Sequence, residues 1–279
     1  MGTSSSFGGP KNGTSLLPPF ATPPSDSQNG NNGTQDNSQQ GQNNDSKNIQ
    51  NPDTGKWSTA KGNLSRYVRN RGNTGSTPKK AVQSYVRASG GSSGASRAAR
   101  SGKISVGGYG NFLRGIASDG INKTLENYNL KHLIGKPSEQ VFAAIADSLA
   151  PTGATNEDAV ARKAILESLQ DLFTEHKLES NDISTLNNLS EEELQDYVLD
   201  ATGTYVFSKF VEELSIAIEK GSIDKSEAYD IEVDVEDYIR GRLESEFKDR
   251  DILSSGSKEG FNKRIMDEIF EKVYKILED

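Results

Sequence analysis

From Asn111 to Asp279 apolar side chains recur every three or four residues, the spacing that gathers them on one face of an α-helix. Phe142, Ile145 and Leu149 follow the start signal Pro137-Ser138-Glu139, and Pro151 marks the stop. Thr155-x-x-Asp158 resembles a capping arrangement and leads into Ile165, Leu169, Leu172 and Phe173. Ser190-x-x-Glu193 is a full capping-box pattern; it opens a stretch in which Phe207, Val211, Leu214 and Ile218 share a face, with Gly221 at the stop. Ile231, Val235, Ile239, Leu243 and Phe247 recur every four residues, and Ile265, Ile269, Val273 and Ile276 form the last stripe. Alternating period-two runs are nearly absent. The pattern predicts an all-α domain over residues 111–279, with about five to seven helices around one core.

Upstream the pattern changes twice. From Ala21 to Gly55 only Ala21 and Ile49 are apolar in 35 residues, while 14 are Asn or Gln. Ordering such a segment costs about 1–2 kcal/mol per residue with little burial to offset it, so it reads as a disordered tether. Residues 56–110 form a Gly/Ser-rich stretch with two short amphipathic elements, Leu64-Ser65-Arg66-Tyr67-Val68-Arg69 and Val82-Gln83-Ser84-Tyr85-Val86-Arg87. Residues 1–20 form a tip that ends in Leu16-Leu17-Pro18-Pro19-Phe20. The expected organisation is therefore tip, tether (21–55), arm (56–110) and helical domain (111–279).

Charge sharpens that division. Residues 1–110 carry 13 Lys or Arg against 4 Asp or Glu, a net of +9, whereas residues 111–279 carry 19 against 36, a net of −17. Between Thr54 and Ser118 there is no acidic residue. Such asymmetry describes partners and solubility rather than fold. Cations interleaved with aromatics are what single-stranded nucleic acid binding uses, which makes Trp57, Arg66, Tyr67, Arg69, Arg71, Lys79, Lys80, Tyr85 and Arg87 candidate contacts. The same arm has a second target in the acidic faces of its own chain or of a partner protein, and a solvated linker is the plain alternative.

The tip offers different chemistry. With Met1 removed, Gly2 would present an unhindered amine, with Thr3 and Ser4 adding hydroxyls but no bulk. Pro18 and Pro19 favour an extended conformation that would display Leu16, Leu17 and Phe20 as a docking peptide. Met1-Gly2-x-x-x-Ser6 also satisfies the short N-myristoylation pattern, and an ordinary frayed terminus fits as well.

Several function classes find no support. No cysteine is present, so disulfides, thiolate catalysis and Cys-ligated zinc are excluded. His132 and His176 stand in no metal-binding spacing, and Glu191-Glu192-Glu193 and Glu212-Glu213 read as helix surface. No nucleophile elbow or P-loop occurs, and Gly107-Gly108-Tyr109-Gly110 lacks the third glycine of a dinucleotide fingerprint. The longest apolar run, Val141–Ala146, is far short of the ~18 residues of a membrane span, and the N-terminus does not read as a secretory signal. The expectation is a non-enzymatic cytoplasmic interaction protein without metal or cofactor.

Met1-Gly2-Thr3-Ser4-Ser5-Ser6, Gly8-Gly9-Pro10, Leu17-Pro18-Pro19-Phe20, the Tyr-Val-Arg elements, Pro151-Thr152-Gly153 and Glu157-Asp158-Ala159-Val160-Ala161-Arg162 together resemble one bacterial family. It is QatB, the B component of the Qat anti-phage defence system, although Phe20 stands where many relatives are expected to carry Trp. The resemblance implies a non-enzymatic adaptor in a complex with a P-loop ATPase (QatA-like), a deazaguanine-synthase-like enzyme (QatC-like) and a TatD-like nuclease. It further implies that the synthase-like partner joins a deazapurine base to Gly2, with Thr3 and Ser4 as recognition neighbours.

Overall fold

Proline opens the first helix at residue 52 and three more helices begin before residue 101, so the secondary structure begins well before the acidic half. A computed structural model describes residues 52–70, 77–150, 155–176, 183–219 and 225–279. These residues form eleven α-helices and two short 3-10 turns, with no strand among them. The helices are α1 (Pro52–Arg69), α2 (Pro78–Ala88), α3 (Gly91–Ala98), α4 (Arg100–Asp119), α5 (Ile121–Asn127), α6 (Ser138–Leu149), α7 (Asn156–Glu175), α8 (Glu191–Glu219), α9 (Lys225–Glu246), α10 (Arg250–Glu259) and α11 (Lys263–Glu278).

The all-α class is thus as the periodicity indicates, and seven of the helices begin after Asn111. Both capping signals are realised. The Thr155 side chain accepts from the Asp158 amide at 3.1 Å while Asp158 accepts from the Thr155 amide at 3.1 Å. At the start of α8, Ser190 and Glu193 make the equivalent exchange at 3.2 and 2.8 Å. The stripe from Ile231 to Leu243 on α9, with Phe247 just past its end, is buried along its whole length, and Ile265, Ile269, Val273 and Ile276 are buried on α11. Helix α6 begins at Ser138 and ends at Leu149; the expected stops at Pro151 and Gly221 lie outside the described residues.

The position of residues 56–110 corrects the sequence reading. The charge boundary at Asn111 falls inside α4 rather than between domains. Helix α4 is central, packing against α5, α6, α7, α8, α10 and α11, with Val106, Tyr109, Phe112, Leu113 and Ile116 buried. The two Tyr-Val-Arg elements are the last turns of α1 and of α2, which pack on each other, and Tyr67, Val68, Tyr85 and Val86 all enter the common core. Residues 49–279 accordingly form one unit.

Small residues explain why periodicity missed this region. Alanine and glycine bury little area individually, yet they let helix axes approach closely. The Gly102 Cα sits against the Tyr205 ring, and a Cβ there would lie 2.5 Å from a ring carbon. At Gly110 a Cβ would lie 2.6 Å from the Phe261 ring and 2.9 Å from Val198. The Gly107-Gly108-Tyr109-Gly110 run is therefore helix-packing surface in α4 and follows no strand.

Polar contacts join the two halves at several points among the described residues. Lys103 of α4 pairs with Asp267 of α11 at 2.8 Å, and Tyr67 donates to Asp234 of α9 at 2.7 Å. The Glu278 carboxylate accepts from the Ser92 amide at 2.8 Å, while Arg87 donates to the Glu278 backbone carbonyl. Apolar burial carries the docking of the basic helices, and the ion pairs orient it.

Candidate functional site

The candidate side chains on the basic helices separate by chemistry once folded. Tyr67 and Tyr85 are 3% exposed, which leaves no ring face for a base to stack on. Tyr85 lies edge-on between Trp57 and Phe210, with ring centroids 6.1 and 5.5 Å away. Trp57 is half-buried against the same cluster. Burial is the first cause of the raised Tyr85 hydroxyl pKa. Tyr67 and Tyr85 are core elements, which corrects the stacking role expected of them, while Trp57 packs against that core.

The cations behave oppositely. Arg66, Arg69, Lys79, Lys80 and Arg87 are exposed, as are Lys56, Lys61, Arg97 and Arg100. Arg66 bonds within its own helix to Asn63 at 2.8 Å. Arg71 lies outside the described residues, as do Gly2, Thr3, Ser4, Leu16, Leu17, Pro18, Pro19 and Phe20.

Two grooves are lined by residues that sequence reasoning did not bring together. One, of about 1000 Å³, runs between the C-terminal end of α7, the first half of α8 and α9. Its centre is Arg240, which binds Asp200, reaches Asp171 at 3.3 Å and Glu236 at 3.1 Å, and donates to the Thr204 hydroxyl. Burial raises the Asp200 pKa, opposed by Arg240. At one end the Tyr197 hydroxyl donates to Glu175 at 2.7 Å and lies 2.8 Å from His176 Nε2. His176 is therefore half-buried at the α7 C-cap instead of fully exposed, whereas His132 is exposed. Burial and the Glu175 carboxylate push the Tyr197 pKa upward.

The second groove, of about 890 Å³, lies between α3, α4 and α11. Ile104, Phe261 and Met266 give it an apolar lining, and Arg97, Arg100, Lys103 and Lys263 supply cations. Asn111 fixes one wall by accepting from the Phe261 amide at 2.9 Å and donating to the Phe261 carbonyl at 3.4 Å.

The segment Glu157-Asp158 has a structural task at the first turn of α4. Glu157 accepts from the Ser101 amide at 2.7 Å and from the Tyr205 hydroxyl at 3.2 Å, while Asp158 accepts from the Ser101 hydroxyl at 2.6 Å. An acid from another helix thereby satisfies an amide that α4 cannot. The following Val160 and Ala161 are buried, and Arg162 pairs with Asp147.

Among the described residues no three His, Asp or Glu side chains are arranged to hold a metal, and no helix is long and apolar enough to cross a membrane. Fold and grooves together define a helical body with a cationic and a carboxylate-rich surface.

The chain belongs to the QatB family. The family model described as Qat anti-phage system associated protein QatB matches residues 90–277, about two thirds of the length, and starts at the turn before α3. It thus spans α3 to α11 and both grooves, while α1 and α2 precede it. The chain is accordingly associated with the Qat anti-phage system, with partners inside that system. No curated protein and no solved structure matches it significantly.

Proposed function

We propose that the chain is a non-enzymatic adaptor of a Qat defence complex, and that it presents Gly2 to a synthase-like partner for conjugation to a deazapurine base. The observation that carries this reading is the family match over residues 90–277. In this reading the other partners are the P-loop ATPase and the TatD-like nuclease, all cytoplasmic.

The tip fits the role chemically. A glycine amine has no side chain to hinder attack, and its reference pKa of about 8 leaves a reactive neutral fraction near neutrality. A flexible tether of the length of residues 21–51 would span roughly 30 Å in root-mean-square terms. That reach would bring Gly2 into an active site on a docked enzyme, with Leu16–Phe20 engaging its surface.

The test is phage protection by the complete system in cells. Gly2→Pro, which replaces the unhindered primary amine with a ring-bound secondary one that a site shaped for glycine would not accept, should abolish protection, as should deletion of residues 2–20. Full protection by either variant contradicts the proposal.

A second reading, a nucleic-acid-binding accessory protein, is favoured by the exposed cations of α1 and α2. With Tyr67 and Tyr85 buried, any such binding would rest on phosphate contacts. Reversing Lys79, Lys80 and Arg87 to Glu should then flatten the salt dependence of binding to a single-stranded oligonucleotide. Absence of measurable binding by the unaltered protein at low salt would remove this reading.

A further inference from the structure

We infer that the groove between α3, α4 and α11 is the surface on which an acidic segment of a partner subunit docks through one apolar anchor residue. The inference rests on the adaptor reading and adds to it a place and a recognition chemistry. Three observations converge on this groove.

First, Ile104 is 55% exposed and stands in the groove with Phe261 and Met266. Exposed aliphatic side chains are ordinary singly, but one set in a concave apolar lining is a seat for a complementary side chain. Gly107 and Gly108 line the same groove, so no side chain from the middle of α4 fills it.

Second, the groove's charge is unbalanced in one direction. Arg97, Arg100, Lys103 and Lys263 face Asp267 and Glu271, an excess of two cations. Asp267 is held by Lys103 and Lys263, each at 2.8 Å, and hydrogen bonds from both keep its carboxyl below the usual range. Glu271 accepts from the Ser93 hydroxyl. Among the described residues Arg97 bonds only to the backbone carbonyl of Ser93, and Arg100 has no hydrogen bond or ion pair. Both guanidiniums are exposed and meet no carboxylate among the described residues, although the chain is strongly acidic from Asn111 onward. Paired forks of this kind recognise carboxylates bidentately.

Third, the groove is held in shape without a ligand. The Asn111 amide clamps the Phe261 backbone, and Arg114 donates to the Ser257 carbonyl at 3.1 Å. A preformed seat lowers the ordering cost of binding. Every lining residue, from Ser93 to Glu271, also falls within the span that the family model matches.

The experiment places the photo-crosslinking residue p-benzoylphenylalanine at position 104 of the full chain, co-expressed with the other proteins of its defence system. The purified assembly is irradiated and the crosslinked peptide is sequenced by mass spectrometry. The inference predicts a crosslink to another subunit, within a peptide rich in Asp or Glu that carries at least one large apolar residue. Arg97→Glu with Arg100→Glu should lower the yield about tenfold or more, because each reversal sets like charges against each other. An unchanged helical circular dichroism spectrum would show that the double variant still folds. If subunits co-purify but crosslinks fall within the chain itself, on a neutral or basic peptide, or on nucleic acid, the groove assignment is overturned while the adaptor reading stands. If no subunit co-purifies, both fall together.

Discussion

At Gly102 and Gly110 two opposing effects can be weighed directly. Replacing glycine by alanine inside a helix gains about 1 kcal/mol of intrinsic propensity. The added methyl would meet the Tyr205 ring at 2.5 Å in one case and the Phe261 ring at 2.6 Å in the other, in parts of the core that have no slack. Overpacking of this kind costs about 1–3 kcal/mol, so Gly102→Ala and Gly110→Ala should both lower the melting temperature in spite of the propensity gain. A rise in melting temperature for either would show that the α4 axis is not packed as described. Neither position was legible in the sequence, where a glycine-rich run among serines reads equally well as a linker.

Arg240 presents the electrostatic counterpart. It neutralises Asp200 and pairs with Asp171 and Glu236 in a groove where water reaches only part of each group. Arg240→Met should cost about 1–3 kcal/mol at pH 7, since a half-buried carboxylate loses its charged partner. The pH dependence has a definite sign. Burial already raises the folded-state pKa of Asp200, and losing Arg240 raises it further. A carboxyl that binds its proton more tightly when folded gains stability as pH falls toward its unfolded value. The melting-temperature gap between Arg240→Met and the unaltered protein should therefore narrow from pH 7 to pH 5, and a widening gap would contradict this account. The sequence held the signal only weakly, as an arginine directly after Ile239 on a buried stripe.

At the scale of helices, the two capping boxes show what short-range pattern can deliver. Thr155, Asp158, Ser190 and Glu193 act within three residues of each other, so their geometry is almost wholly local. Thr155→Ala should cost about 1 kcal/mol, read by chemical denaturation. Helices α6, α7, α8, α9 and α11 follow apolar stripes with branched or aromatic side chains, and those are the parts that periodicity finds. Helices α1 to α3 and the first half of α4 mix a few branched anchors, Leu64, Val68, Val82, Val86 and Val106, with buried alanine, glycine and tyrosine, and their exposed faces are basic, so the same method reads them as a soluble arm.

Tyr85 tests the corrected view of that region. Its ring sits between Trp57 of α1 and Phe210 of α8, which ties both leading helices to the core. Tyr85→Ala should destabilise the whole body by about 3–5 kcal/mol, the range for removing a large buried aromatic ring. An arm that merely trails from the body would give no change in the unfolding transition of α8. The repeat of Tyr-Val-Arg at residues 67–69 and 85–87 is thus a packing device, with tyrosine and valine inward and arginine outward.

For the molecule as a whole, the charge asymmetry survives folding but changes meaning. Helices α1 to α4, which carry acids only at Asp53 and Asp119, are built into the acidic body chiefly through apolar faces, and most of the cations of α1 to α3 are left on the outside. One protein surface is therefore basic around α1 to α3, while the groove of α7 to α9 is rich in carboxylates. Such a molecule can address oppositely charged subunits from different sides, which suits an adaptor. Deleting residues 57–109 to probe the basic region would remove half of the central helix α4, so charge reversals at Lys79, Lys80, Arg87, Arg97 and Arg100 are the appropriate variants.

The family was legible from scattered residues of the tip, the Tyr-Val-Arg elements and Glu157-Asp158. The structure gives a physical reason for part of that pattern, because Glu157 and Asp158 hold the first turn of α4 while Tyr67 and Tyr85 hold α1 and α2. The docking groove was not legible, since Ile104 and Phe261 meet only through the close approach of α4 to the start of α11. No residue spacing encodes that distance.

The most direct measurement is the mass of the N-terminal peptide from protein purified out of cells that carry the complete defence system. The account predicts loss of Met1 and a deazapurine adduct on Gly2, absent when the synthase-like partner is inactivated. An unmodified glycine alongside an active partner, or an adduct that persists without it, would contradict the account.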